Sequence, residues 1–243
     1  MLEDRGADAI QAPTIRIAPP EDPEALDRAC ALAGSYDWLV FTSANAVDAF
    51  MRRLLTLGDI RDLKGVRICA IGPSTAERVS RHGIRIDLMP EESRAEAVVE
   101  ALTLAGDLSD QRILLPRADI AREVIADELR AAQADVTEVV AYRTLLAGTE
   151  RDGDHDVYRM LLDRQIDAVT FTSASTVRNF AQIFGHEQTA DLLSTTVVAS
   201  IGPVTAEAAQ QLGIETHVMP KRYTIPDLVD ALVDHFSGKP VAS

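Results

Sequence analysis

Ile201-Gly202-Pro203-Val204-Thr205-Ala206-Glu207 has a twin in Ile71-Gly72-Pro73-Ser74-Thr75-Ala76-Glu77, 130 residues earlier (201 against 71). Each copy follows an apolar run, residues 196–200 in one case and 66–70 in the other, and precedes a segment that reads as helix. A strand, then Gly-Pro, then a hydroxyl residue opening a helix leaves several backbone N–H groups unpaired. Pro in the first turn sacrifices nothing, because its N–H would have had no partner there. The free N–H groups and the positive end of the helix make a seat for an anion. Two such seats in related segments predict one anionic ligand held between two lobes.

Working outward, the self-match is long and gapless. Asp167-Ala168-Val169-Thr170-Phe171-Thr172-Ser173-Ala174 repeats the pattern of residues 37–44 at the same offset, and Gly213-Ile214 and Met219-Pro220 repeat Gly83-Ile84 and Met89-Pro90. Such a match is a duplication. Upstream, residues 129–143 align with 2–16 at an offset of 127 (129 against 2). The strand expected over 112–115 then has no counterpart before Met1, so the first repeat is expected to lack its opening strand.

Strands are expected over 38–41, 66–70, 84–89, 112–115 and 136–142, with their twins in the second repeat, alternating with helices. Ser93-Arg94-Ala95-Glu96 reads as a capping box opening a helix to Leu104, and Asp119 as the cap of a helix to Ala132. Leu2-Glu3-Asp4-Arg5-Gly6 reads as a last helical turn with a glycine stop. Linkers are expected at the Pro-rich run 18–23 and over the polar run 143–154, with a frayed tail from Ser237. This alternation predicts parallel α/β sheets covered on both faces.

The 243 residues suffice for one large or two small domains. A net charge of −14 argues against a nucleic-acid surface. An anion must therefore be held by local dipoles and a few placed cations rather than by the overall field. No apolar run reaches membrane-spanning length, and the first residues do not read as a signal peptide. Cys30 and Cys69 suggest neither a disulfide framework nor a metal motif, which makes the cytoplasm the expected compartment. Glycine-rich nucleotide loops, the nucleophile elbow and the zinc-protease motif are absent, and the five histidines are scattered. Neither cofactor nor metal is expected.

Ligands of parallel sheets sit beyond the carboxyl ends of the strands. Five turns lie there: Thr42-Ser43, Gly72 to Thr75, Arg117 to Asp119, Thr172-Ser173 and Gly202 to Thr205. Any one hydroxyl could simply cap its helix, but capping does not require Gly-Pro in both repeats. Lys221-Arg222 stands where the other repeat has Glu91-Glu92, giving one lobe a cationic rim. Tyr142 replaces Ile15 of the other repeat, and a phenol there can donate a proton or a hydrogen bond.

Together, residues 36–45, Ala70-Ile71-Gly72-Pro73, Leu115-Pro116-Arg117, Val140-Ala141-Tyr142-Arg143-Thr144, Phe171-Thr172-Ser173 and 201–206 resemble the uroporphyrinogen-III synthase family, over nearly the whole chain from Gly6 to about Phe236. The resemblance implies two flavodoxin-like domains joined by two extended linkers, with 1–18 and 146–243 in one domain and 19–145 in the other. It also implies cofactor-free closure of hydroxymethylbilane, a linear tetrapyrrole polycarboxylate, to a macrocycle with loss of water and inversion of ring D. Tyr142 is then the candidate proton donor. Thr205, with Thr75, Ser43 and Ser173, would bind carboxylates beside backbone N–H groups, and Thr205 would face Tyr142 across the cleft. A monomer is expected, with hydroxymethylbilane synthase or a methyltransferase domain as possible neighbours. The departure is the opening strand, whose turn the family places at the site. A hinged, non-catalytic sensor of an anionic small molecule would carry the same lobes and seats.

Overall fold

The structure, a computed structural model, describes residues 1–120, 124–148 and 156–238. The chain divides into two compact units, Met1–Arg16 with Leu146–Ser243, and Ile17–Leu145.

The continuous unit comprises β1 (Ile15–Ala18), α1 (Pro23–Ala31), β2 (Trp38–Phe41), α2 (Ala44–Leu57), β3 (Arg67–Ala70), α3 (Pro73–Arg81), α4 (Ala95–Leu104), β4 (Arg112–Ala118), α5 (Val124–Ala131) and β5 (Asp135–Leu146), with β1 and β5 crossing its boundaries. The sheet order is β1-β5-β4-β2-β3. β2 runs parallel to β3 and β4, and β4 parallel to β5. Leu88 adds a single parallel bridge to Cys69 outside β3. Counted from β2, with the Leu88 segment third, the order is 3-2-1-4-5. Counted cyclically from β4 it becomes 2-1-3-4-5, the flavodoxin order. Either way the connections diverge between β2 and β4, which makes their carboxyl ends the place for a ligand.

β2 is buried at every position because both faces of the sheet are covered. Leu39 and Phe41 face one way, with Ile68 and Leu114, against Val47, Phe50 and Leu54 of α2. Trp38 and Val40 face the other way, with Ile113 and Leu115, against Val98 and Leu102 of α4 and Leu129 of α5. Each such side chain contributes roughly 1.5–3 kcal/mol by leaving water.

Several expectations change. Residues 84–89 make a bridge rather than a strand, because the Asp87 carboxylate accepts the Ile68 N–H at 2.8 Å, a bond that a ladder carbonyl would otherwise make. The helix after Ser93 is capped at Arg94 without a side-chain bond, so no capping box forms. β4 and β5 extend past their expected ends, and Arg117 lies inside β4 rather than in a turn. Asp119 bonds the N–H groups of Ile120 and Thr144. The start of the helix it was expected to cap, residues 149–154 of the expected linker, His155 and the end of the tail lie outside the described residues.

The other unit begins with a single 3-10 turn closed by Gly6 at φ 86°, as expected from its glycine stop. Its later part holds α6 (Val157–Leu162), β6 (Ala168–Phe171), α7 (Ala174–Phe184), α8 (Thr189–Leu193, not foreseen), β7 (Val197–Ser200), α9 (Pro203–Gln210) and α10 (Ile225–Phe236). β6 and β7 are parallel, and Val218 bridges Ala199. One face is well covered, with Phe171 and Val198 packed on Val177, Phe180, Leu193 and Ala208. The opposite face is thin, with Ala199 and Val218 under Leu228 and Leu232, edged by Leu2. Among the described residues β6 has one strand neighbour, β7, where β2 has two. Ala168, Val169 and Thr170 are accordingly only half-buried. No helix among the described residues is long and apolar enough to cross a membrane.

Candidate active site

Chemistry-bearing side chains gather around the carboxyl ends of β2 and β4, where β5 runs on past β4. β2 ends at Phe41, and Ser43, in extended conformation, caps α2 by accepting the Ala46 N–H at 3.1 Å. The same hydroxyl lies 3.2 Å from the phenolic oxygen of Tyr142, on β5. Ser43 is thus both a cap and the hydrogen-bond partner of the candidate proton donor. Tyr142 is otherwise buried, at 6% exposure.

The pairing depends on an irregularity in β5. Arg117 pairs with Val140, but Ala118 pairs with Tyr142, so Ala141 is an extra residue on β5. Strand alternation would put Ala141 and Tyr142 on opposite faces. The bulge removes that alternation, and both pack into the core formed on α2. It is held by Asp119, whose N–H donates to the Tyr142 carbonyl at 3.1 Å and whose carboxylate accepts the Thr144 N–H, also at 3.1 Å. The unbroken apolar run Val139-Val140-Ala141-Tyr142 gave no sign of a bulge.

Thr42 and Arg117 belong to the opposite side of the sheet. They line a concavity of about 440 Å³ with Ser93 and the start of α4. Arg117 lies 2.8 Å from Glu138, close but not aligned as a hydrogen bond, with both side chains about 15% exposed (16% and 15%). Arg130 approaches the same carboxylate at 2.8 Å. Freed from capping, Ser93 stands over Gly72, where an added Cβ would come within 3.7 Å of its hydroxyl. Of the expected site residues of this unit, Ser43 and Tyr142 form one group and Thr42 and Arg117 another, with Gly72 and Thr75 at the start of α3. The structure adds Ser93 and Asp119.

The two Gly-Pro seats differ. Gly72 has φ 85°, a left-handed conformation that favours glycine. Gly202 is extended, at φ −173°, and needs glycine for another reason: a Cβ would sit 3.1 Å from Cγ of the Tyr223 ring. Tyr223, absent from the expected set, takes the position of Ser93 and is 60% exposed. Thr75 and Thr205 both lie in first helical turns and are buried, at 2% and 4% exposure.

Ser173 caps α7 through the Thr176 N–H and bonds the hydroxyls of Ser175 and Thr176, while Thr172 beside it is exposed. Lys221 is exposed, and Arg222 is paired with Asp227 at 2.7 Å, which offsets the cationic rim. Among the described residues no cluster of metal-ligating side chains is gathered. Burial pushes the Cys69 thiol up to about 12, and burial, then the Asp27 carboxylate, does the same for Cys30.

Comparison with known proteins agrees with this architecture. The family model of uroporphyrinogen-III synthase HemD matches residues 1–230. A Methanothermobacter thermautotrophicus protein provisionally named for that enzyme is 35% identical over 235 residues, covering 96% of this chain and 90% of that protein. The uroporphyrinogen-III synthase of Synechococcus elongatus is 33% identical, covering 95% and 87%. A crystal structure of a mutant uroporphyrinogen III synthase from Thermus thermophilus superposes with a TM-score of 0.57 at 19% identity, covering 97% and 90%, and shows the same mixed α/β fold.

Proposed function

The chain belongs to the uroporphyrinogen-III synthase family, and on that premise we propose that it closes hydroxymethylbilane to uroporphyrinogen III, with loss of water and inversion of ring D. The observation that carries the residue assignment is the hydrogen bond between Ser43 and Tyr142 at the carboxyl ends of the strands.

A serine hydroxyl has one proton and two lone pairs. The Ala46 N–H uses one lone pair of Ser43, and the serine keeps its proton and its other lone pair for the Tyr142 oxygen; the arrangement poised for reaction is the one in which the serine donates. In that arrangement the phenol keeps its own proton for the substrate. As the C–O bond of the hydroxymethyl group breaks, its electron pair leaves on oxygen and the Tyr142 proton makes the leaving group water. The ring A nitrogen supplies electrons and an azafulvene forms. Ring D attacks through its substituted carbon to give the spiro intermediate, which fragments and recloses. The ring D carbon that finally bonds loses its proton, which restores the phenol. The remaining task is to hold the chain against simple closure without inversion.

Thr42, Arg117 and Ser93 offer a seat for substrate carboxylates, as do the helix starts at Gly72 and Gly202, with Thr172, Ser173 and Lys221 as further donors. The burial of Thr75 and Thr205 favours a role in shaping those helix starts, with backbone N–H groups meeting the anion. We read the two units as duplicated flavodoxin-like domains, 1–18 with 146–243 and 19–145, joined by two linkers. In support, β6, α7, β7, α9, the Val218 bridge and α10 each begin 130 residues after β2, α2, β3, α3, the Leu88 bridge and α4 (168 against 38). The enzyme works as a cytoplasmic monomer, alone or beside a bilane-forming synthase or a methyltransferase. Its two buried free cysteines suit a reducing compartment, and light scattering checks the monomer.

The test is to incubate the protein with hydroxymethylbilane and separate the isomers. Uroporphyrinogen III should dominate, and type I product alone sinks the proposal. Tyr142→Phe should lower kcat by about 10²-fold or more.

A further inference from the structure

We propose that Asp119 is a positioning residue for the reaction, a clamp that holds the β5 bulge and thereby aims the Tyr142 hydroxyl. The inference rests on the reading of Tyr142 as proton donor. β4 ends at Ala118, so beyond it β5 has no strand backbone on that side to pair with. Asp119 takes over from both ends of one residue. Its N–H donates to the Tyr142 carbonyl, and its carboxylate accepts from Thr144, two residues further along β5, at 3.1 Å each. A third Asp119 bond, from the Ile120 N–H at 3.0 Å to the same carboxylate oxygen, fixes the side-chain rotamer that reaches β5.

The register between Arg117 and Ala118 slips by one residue immediately before this clamp. A bulge without anchors on its far side can relax back into regular pairing, and regular pairing would turn the Tyr142 side chain to the other face of the sheet. Ser43, on the α2 side, could not then reach it. Asp119 itself is exposed and touches β5 through backbone groups. It acts on the reaction only through where Tyr142 stands.

The experiment compares Asp119→Ala, Asp119→Asn, Tyr142→Phe and the Asp119→Ala/Tyr142→Phe pair in the full chain. Asparagine keeps an oxygen that can accept from Thr144 and Ile120, whereas alanine does not. The expected result is a fall in kcat of at least about tenfold for Asp119→Ala with KM little changed, recovery in Asp119→Asn, and no further loss when Asp119→Ala is added to Tyr142→Phe. If both single variants lose activity but their effects multiply, or if KM alone moves, the clamp is wrong while the donor reading stands. An active Asp119→Ala beside an inactive Tyr142→Phe has the same meaning. If Tyr142→Phe turns over normally, the donor reading itself falls and the clamp with it. Should Asp119→Ala melt early, the Asp119→Asn kinetics and the Thr144 amide shift by NMR still decide. A Thr144 amide whose shift is the same in Asp119→Ala as in the parent overturns the proposal.

Discussion

Ser43 shows how a residue with a plain structural duty can also meet a candidate catalytic group. Its cap on α2 uses one lone pair, and the same hydroxyl lies 3.2 Å from the Tyr142 oxygen. The matching serine, Ser173, spends its hydroxyl within its own cap cluster. Cys30 and Cys69 give a residue-scale prediction for pH. Their folded-state pKa is pushed up to about 12 from an ordinary 9.0, chiefly by burial. The unfolded chain releases these protons first, so between about pH 9 and about pH 12 it binds fewer protons than the native state, and stability falls as pH rises. Below that window the contribution is intact. The urea midpoint should therefore drop on the alkaline side, and less steeply in a Cys30→Ala/Cys69→Ala variant. Identical slopes in parent and variant would count against the burial argument.

At the level of elements, the same economy recurs at the sheet edges. Asp87 accepts the N–H of Ile68, and His217 Nδ1, at the matching place, accepts the N–H of Val198 at 3.0 Å. Val198 is 1% exposed, so His217→Ala leaves a buried donor unpaired and should cost about 1–3 kcal/mol. His217→Asn should restore part of it; chemical denaturation measures both, and a His217→Ala midpoint equal to the parent's would refute the role. The sequence marked most helices and strands well, since β2, α2 and α3 carry apolar periodicity, a capping serine and Gly-Pro in readable places. It could not reveal features that depend on a neighbour. The β5 bulge exists through pairing with β4. The edge segment of Leu88 is cut to a bridge by a carboxylate. Arg117 is drawn to Glu138 on the next strand. The two Gly-Pro stretches look alike in sequence, yet one glycine serves a backbone angle and the other makes room for an aromatic ring.

Across the whole molecule, the two units are unequally built. The continuous unit buries both faces of a sheet whose central strand has neighbours on each side, whereas the other, among the described residues, rests a two-stranded sheet on one full and one thin core. Native-state hydrogen exchange should therefore protect the amides of β2 and β4 more than those of β6 and β7. Equal protection would mean that the thin face is not a weakness. The discontinuous unit has a second consequence, which concerns time. Leu2 packs beside Leu228 and Leu232, and Arg5 pairs with Asp230 at 2.7 Å, so the early segment must wait for residues 225 positions further along the chain. On the ribosome the continuous unit can fold while this early segment is still without its partners, and the second unit can close only after α10 has emerged.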